Sequence, residues 1–196
     1  MERRIFPIAA ILALLALPVQ AAALTLEGIA VPERLEFGDV ALTLNGAGVR
    51  KKMFIKAYVA CLYLTAPSED PEYVLAAEEP QTITLHIISG LVTSARMAKA
   101  AARDMRKVYG PLESIQPQVD LFMDLFEEEV NKGDVFKLIY LPGTGTRVVK
   151  NERELAVIPG LSFKKALFGI WLSKKNPAVD NLREDMFERE PSKPKA

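Results

Sequence analysis

The 196-residue chain carries 25 lysines and arginines against 25 aspartates and glutamates. Zero net charge provides no basic field for nucleic acid, and 49% apolar residues set it apart from disordered chains. One cysteine and one histidine exclude a disulfide scaffold and a His/Cys zinc centre, and leave His86 as the sole base for any Ser-His-Asp or Cys-His site.

Met1–Ala23 reads as an address rather than as fold. Arg3 and Arg4 form a positive start, Ile8–Leu17 is an unbroken apolar run of ten residues, Pro18 ends it, and Val19-Gln20-Ala21 has the small-x-small form of a cleavage site. At about 1.5 Å per residue the run falls short of about 30 Å of hydrocarbon. The expectation is a signal peptide over residues 1–23, cut after Ala21 or Ala23, and a periplasmic protein with no membrane span once it is removed. Losing Arg3, Arg4 and Glu2 leaves 23 basic against 24 acidic residues, a net charge of −1. A lone thiol in an oxidising compartment is expected to be buried, and Cys61 lies within an apolar run.

In chain order, Leu24–Gly28 predicts a short strand, and Val31-Pro32 and Gly38-Asp39 are turn signals. Val40–Leu44 predicts a strand that Asn45-Gly46-Ala47-Gly48 interrupts. Met53–Leu64 predicts a long strand covered on both faces, because its apolar content is nearly continuous. Ser68–Ala77 predicts a short helix with Asp70 as N-cap and Pro71 at the first turn. Gln81–Ser89 predicts a strand, and a helix capped by Thr93 or Ser94 runs to Tyr109 before Gly110-Pro111. That helix is expected to bury Ala95, Ala98, Ala102 and Met105 and to expose Arg96, Lys99, Arg103 and Arg106.

A helix from Pro117 to Glu129 follows, with Leu121, Phe122, Leu125 and Phe126 inward and Glu127-Glu128-Glu129 as a solvated end. Val135–Leu141 and Thr146–Lys150 predict a hairpin around Pro142–Gly145, and Glu154–Ile158 a further strand. The last helices are expected over Ser162–Leu172, with Phe163, Ala166, Leu167, Ile170 and Trp171 as its core face, and over Ala178–Phe187. Residues 190–196 are Pro- and Lys-rich and predict a disordered tail. The order of elements makes an α+β domain over residues 24–189, with helices layered on an antiparallel sheet.

Little of this carries recognisable chemistry. There is no P-loop, and Gly143-Thr144-Gly145 lacks the third glycine of a dinucleotide fingerprint. His86 lies in a Thr/Ile strand, where a structural imidazole and an axial ligand are the two readings. Leu44–Arg50 is more informative, because its two glycines permit close backbone geometry just before Arg50. If Arg50 points inward it needs an anionic partner, and a guanidinium suits a carboxylate.

Gly46–Leu64 resembles the chalcone isomerase family. So do Tyr140-x-Pro142-Gly143-x-Gly145-Thr146 and Pro159-Gly160-x-x-Phe163-x-x-Ala166-Leu167-Phe168-x-Ile170-Trp171-Leu172, the latter pattern being typical of the bacterial exported chalcone isomerase-like branch. The resemblance covers about residues 30–187. It implies an open-faced β-sandwich, an antiparallel sheet with a layer of helices on one side and a ligand cleft between them. Arg50 matches the arginine that orients substrate in the plant isomerases. The rest of the isomerase set is missing: Tyr58 stands for the strand threonine, Leu91-Val92-Thr93 occupies the place of the expected tyrosine, and Ile170 replaces a polar contact residue.

The resemblance further implies non-catalytic relatives that hold a fatty acid carboxylate with an Arg and a Tyr, and others that bind haem. The first expectation is therefore an exported protein that binds an apolar carboxylate, fatty acid-like or haem, through Arg50 and Tyr58. Its apolar body is expected against strand 53–64 and near Met97 and Phe163. No cofactor is required unless haem is the ligand. An intramolecular lyase of the isomerase type, acting through Arg50, and a ligand-free interaction module are the alternatives.

Overall fold

The computed structural model describes residues 22–188; most of the expected signal peptide and the expected tail at 190–196 lie outside them. Seven strands form one antiparallel sheet: β3 (Arg34–Phe37), β4 (Val40–Lys52), β5 (Ile55–Leu64), β6 (Gln81–Ile87), β7 (Val135–Leu141), β8 (Gly145–Lys150) and β9 (Arg153–Ile158), each paired with its neighbours in sequence. A separate hairpin, β1 (Ala22–Leu26) with β2 (Ile29–Pro32), lies on the outer face of β3–β5. Five helices cover the inner face: α1 (Pro71–Ala76), α2 (Ser94–Tyr109), α3 (Gln116–Asp124), α4 (Leu161–Leu172) and α5 (Asp180–Phe187). This is the expected α+β, open-faced β-sandwich. No helix among the described residues is long and apolar enough to cross a membrane.

Period-two alternation assigns the strands to their two faces. Ala60, Leu62 and Leu64 of β5 join Ile83, Leu85 and Ile87 of β6 under the helices. Val59, Cys61 and Tyr63 project the other way, into a second cluster with Val31, Leu35 and Leu42, and the Tyr63 hydroxyl donates to the Pro32 carbonyl at 3.0 Å. The expected double coverage of this strand is present. The predicted burial of Cys61 also holds, and burial pushes its thiol up to about 11.

Several local expectations are corrected. Asn45–Gly48 does not interrupt a strand: β4 runs through it, with a bulge between Leu44 and Gly46. Asn45 is buried there and fully engaged, donating to the carbonyls of Ser68 and Met186 and accepting from the Ser68 amide. The glycines serve packing. Cβ atoms at Gly46 and Gly48 would lie 2.6 Å from α5, against the backbone of Asp185 and Met186 and the side chain of Asp185 respectively. Met53-Phe54 is a two-residue turn between β4 and β5, not the start of a strand.

The Asp70 cap and Pro71 are as expected, with Asp70 Oδ1 accepting from the Glu72 and Tyr73 amides, and Thr93 caps α2. On α2 the inward residues are Met97, Ala101, Met105 and Val108, while Ala95 is exposed. The helix after Pro117 stops at Asp124 and tightens into a 3-10 turn over Leu125–Glu127, leaving Leu121 on the surface. Glu128 is not merely solvated, since it pairs with Arg153 and with Lys150. The last helix begins at Asp180, after a 3-10 turn at Pro177–Val179.

Candidate functional site

Between the inner face of the sheet and α2–α4 lies a cavity of about 670 Å³, within the ~300–1,000 Å³ of small-molecule sites. Its floor is apolar: Leu85, Phe136, Leu138 and Val148 from the sheet, with Leu167 and Ile170 from α4. Met97 lines it as expected. Phe163 does not; it is sealed in the core against Phe122, ring centres 5.9 Å apart.

Arg50 and Tyr58 are direct cross-strand partners, and both line the cavity. A bulge makes them so. Lys52 faces Ile55 and Lys51 faces Lys56, so an unbroken ladder would set Arg50 opposite Ala57; a register shift between Arg50 and Lys51 brings Tyr58 there instead. Arg50 Nη1 donates to the carbonyls of Ala178 (2.6 Å) and Lys51 (2.7 Å). These bonds fix the guanidinium and use one of its nitrogens.

Tyr58 Oη accepts a hydrogen bond from Trp171 Nε1 at 3.0 Å. Burial raises the phenol's pKa, and the charge of Asp104 adds to this; the Trp171 bond and the nearby Arg50 lower it without reversing the shift. The phenol is thus protonated at neutral pH, with its oxygen accepting from Trp171 and its own O–H free to donate. Asp104 is buried in the same wall and held by Arg103 in a two-pronged contact, Nε–Oδ1 2.7 Å and Nη2–Oδ2 3.1 Å. Arg50, Lys52, Arg96, Lys99 and Arg103 also line the cavity, so the charged side chains of its wall are predominantly cationic.

His86 does not reach this space. Its neighbours Leu85 and Ile87 face the helices, whereas His86 projects to the outer face, 3.3 Å from Thr84 Oγ1. Burial, then Lys137, lower its pKa. Cys61 is on that outer face as well, so of the residue types that ligate haem iron the cavity lining holds Met53, Met97 and Tyr58 but neither His86 nor Cys61.

Sequence reasoning named Trp171 only as a packing residue and missed Asp104 as a wall residue. The spacing Met97, Ala101, Asp104/Met105, Val108 was the available signal, since it puts Asp104 on the inward face of α2. It also missed Lys164, which is fully buried on α4. Lys164 Nζ donates to the carbonyls of Val74, Leu75 and Ala77 at 2.9–3.0 Å and lies over the rings of Tyr140 and Phe168. These are the orphan carbonyls that end α1. Burial, with Lys165 nearby, pushes its pKa down to about 7. Lys164 is a structural cation away from the cavity.

A family profile described as chalcone isomerase-like matches residues 23–188. Among solved structures, a fatty-acid binding protein of Arabidopsis thaliana superposes with a TM-score of 0.63 at 18% identity, covering 82% of this chain and 92% of that one. No functionally curated protein matches the sequence.

Proposed function

Because the chain belongs to the chalcone isomerase-like family, we propose that it is a non-catalytic member that binds a fatty acid-like carboxylate and is exported by the signal sequence at its N-terminus. The observation that carries this reading is the pairing of Arg50 with Tyr58 at the wall of a 670 Å³ cavity with an apolar floor. A carboxylate beside Arg50 receives charge-assisted hydrogen bonds from the guanidinium. The Tyr58 hydroxyl, whose oxygen accepts from Trp171, donates one more. The alkyl body then lies along Leu85, Leu138, Phe136 and Ile170. The similar plant structure, titled a fatty-acid binding protein, supports the same ligand class.

The open cavity weighs against a ligand-free module. Leu91 and Ile170 in its wall offer no hydroxyl to position a phenolate, which weighs against the isomerase. Haem is the weaker reading, since His86 and Cys61 face away and its iron would rest on Met53, Met97 or Tyr58.

The test is displacement of a fluorescent fatty acid by saturated acids of twelve to eighteen carbons. Loss of a hydrogen bond to a charged group is worth about 1.5–3 kcal/mol, so Arg50→Ala is expected to weaken binding about 10- to 100-fold. Tyr58→Phe is expected to weaken it severalfold, with far-ultraviolet circular dichroism checking that each variant is folded. Unchanged affinity in both variants, or no binding by the parent, refutes the proposal. Chalcone cyclisation faster than an Arg50→Ala control would establish the lyase alternative.

A further inference from the structure

The turn joining β4 to β5 has the wrong residues for a turn. Met53 adopts φ 54°, a left-handed conformation that glycine or asparagine normally supplies in two-residue hairpins. Phe54 beside it is 99% exposed, Met53 86% and Ile55 39%. Nothing within the fold repays either the backbone conformation or the exposure of three large apolar side chains at one point. They are bracketed by Lys51, Lys52 and Lys56 in the run Lys-Lys-Met-Phe-Ile-Lys. Lys56 pairs with Glu27 at 2.8 Å; among the described residues Lys51 and Lys52 are in no ion pair.

The tip also has a position that matters. Lys52, Met53 and Ile55 line the cavity while exposed to solvent, as do Leu91, Arg96 and Lys99 across from them on the α2 side. Together they mark the mouth. Leu91 is 53% exposed, and its carbonyl is held by Arg96 Nη1 at 2.6 Å. One rim of the mouth thus carries apolar side chains with lysines behind them, and the other a leucine with Arg96 and Lys99. Apolar residues that reach beyond a girdle of cations match the boundary of a membrane, acyl chains below and anionic headgroups above.

We propose that the β4–β5 tip docks on an anionic lipid bilayer, inserting Met53 and Phe54 among the acyl chains while Lys51, Lys52, Arg96 and Lys99 contact headgroups. Docking places the mouth of the cavity against the bilayer, so that a fatty acid passes between them without crossing water; this transfer role rests on the fatty-acid reading, whereas docking itself does not.

The experiment is co-sedimentation of the purified protein with vesicles of phosphatidylcholine alone and of phosphatidylcholine with one third phosphatidylglycerol. Binding to the anionic vesicles, weakened by salt, is expected. Phe54→Asp is expected to lower partitioning about tenfold or more, and Lys51→Glu about fivefold. Phe54 does not line the cavity and is exposed, so Phe54→Asp is expected to fold and to bind a soluble fluorescent fatty acid with the parent's affinity. Vesicle binding by the parent without fatty-acid binding would support docking and remove its cargo. No binding to anionic vesicles, binding undiminished in both variants, or a tip that instead mediates dimerisation lost in Phe54→Asp, would overturn the proposal.

Discussion

Replacing Lys164 by Met separates two opposing effects of one buried side chain. The side-chain nitrogen faces three acceptors, the carbonyls of Val74, Leu75 and Ala77, and as the neutral amine at pH 8.5 it keeps two N–H groups for them. Val74 keeps a second donor, Gln81 Nε2 at 3.1 Å, so the substitution leaves two carbonyls without their lysine donor. At about 1–2 kcal/mol each, the Lys164→Met protein should be about 2–4 kcal/mol less stable at pH 8.5. The pH dependence carries the sharper signature. Lys164 titrates near 7 in the folded protein and near 10.4 unfolded, so between these values the unfolded chain binds a proton that the native state does not, and stability rises with pH. From pH 7 to 8.5 this amounts to roughly 1–2 kcal/mol. Cys61 opposes it slightly, because its thiol is held up at about 11 when folded and titrates near 8.5 when unfolded. Urea unfolding at several pH values should therefore show the parent gaining roughly 1 kcal/mol over this interval, and the Met variant losing a little. Parallel pH profiles for the two proteins, or a Met variant as stable as the parent at pH 8.5, would refute the argument.

The two glycines of β4 should differ in their tolerance of a methyl group. Gly46→Ala meets the α5 backbone and is expected to cost about 2–3 kcal/mol, whereas Gly48→Ala meets side-chain atoms of Asp185 and Leu182 and should cost about 1 kcal/mol; urea midpoints that reverse this order contradict the packing described. Trp171 is the chain's sole tryptophan and lines the cavity. Its emission should shift when a fatty acid enters, and saturating binding by calorimetry with no change in emission would place the ligand elsewhere.

The architecture was legible because alternation is a local signal. Ile83, Leu85 and Ile87 against Thr82, Thr84 and His86 already sort β6 into an inner and an outer face. What escaped was decided by partners far along the chain. Asn45-Gly46 has the composition of a turn, yet Asn45 is held in a strand bulge by Ser68 and by Met186, 141 residues away. Lys164 follows Phe163 on a helix where a lysine reads as solvent-facing, and only the unfinished end of α1 gives its ammonium a place inside. Arg50 stood out behind its two glycines, and the family resemblance added Tyr58. Their pairing was beyond the sequence pattern, because a regular hairpin would have put Ala57 opposite Arg50 and turned Tyr58 to the other face.

The seat of α5 on Gly46 and Gly48 has a consequence for how the molecule is made. Each strand of the seven-stranded meander can join its predecessor as it is synthesised, by short-range closure. The α5 contact instead ties the first third of the chain to its last helix, and the Ala178 carbonyl that fixes Arg50 comes from the same late segment, 128 residues after it. Ribosomal order therefore delivers a sheet whose β4 face stands open until the final helix arrives, and the slow, topologically distant step is the one that fixes Arg50 in the binding site.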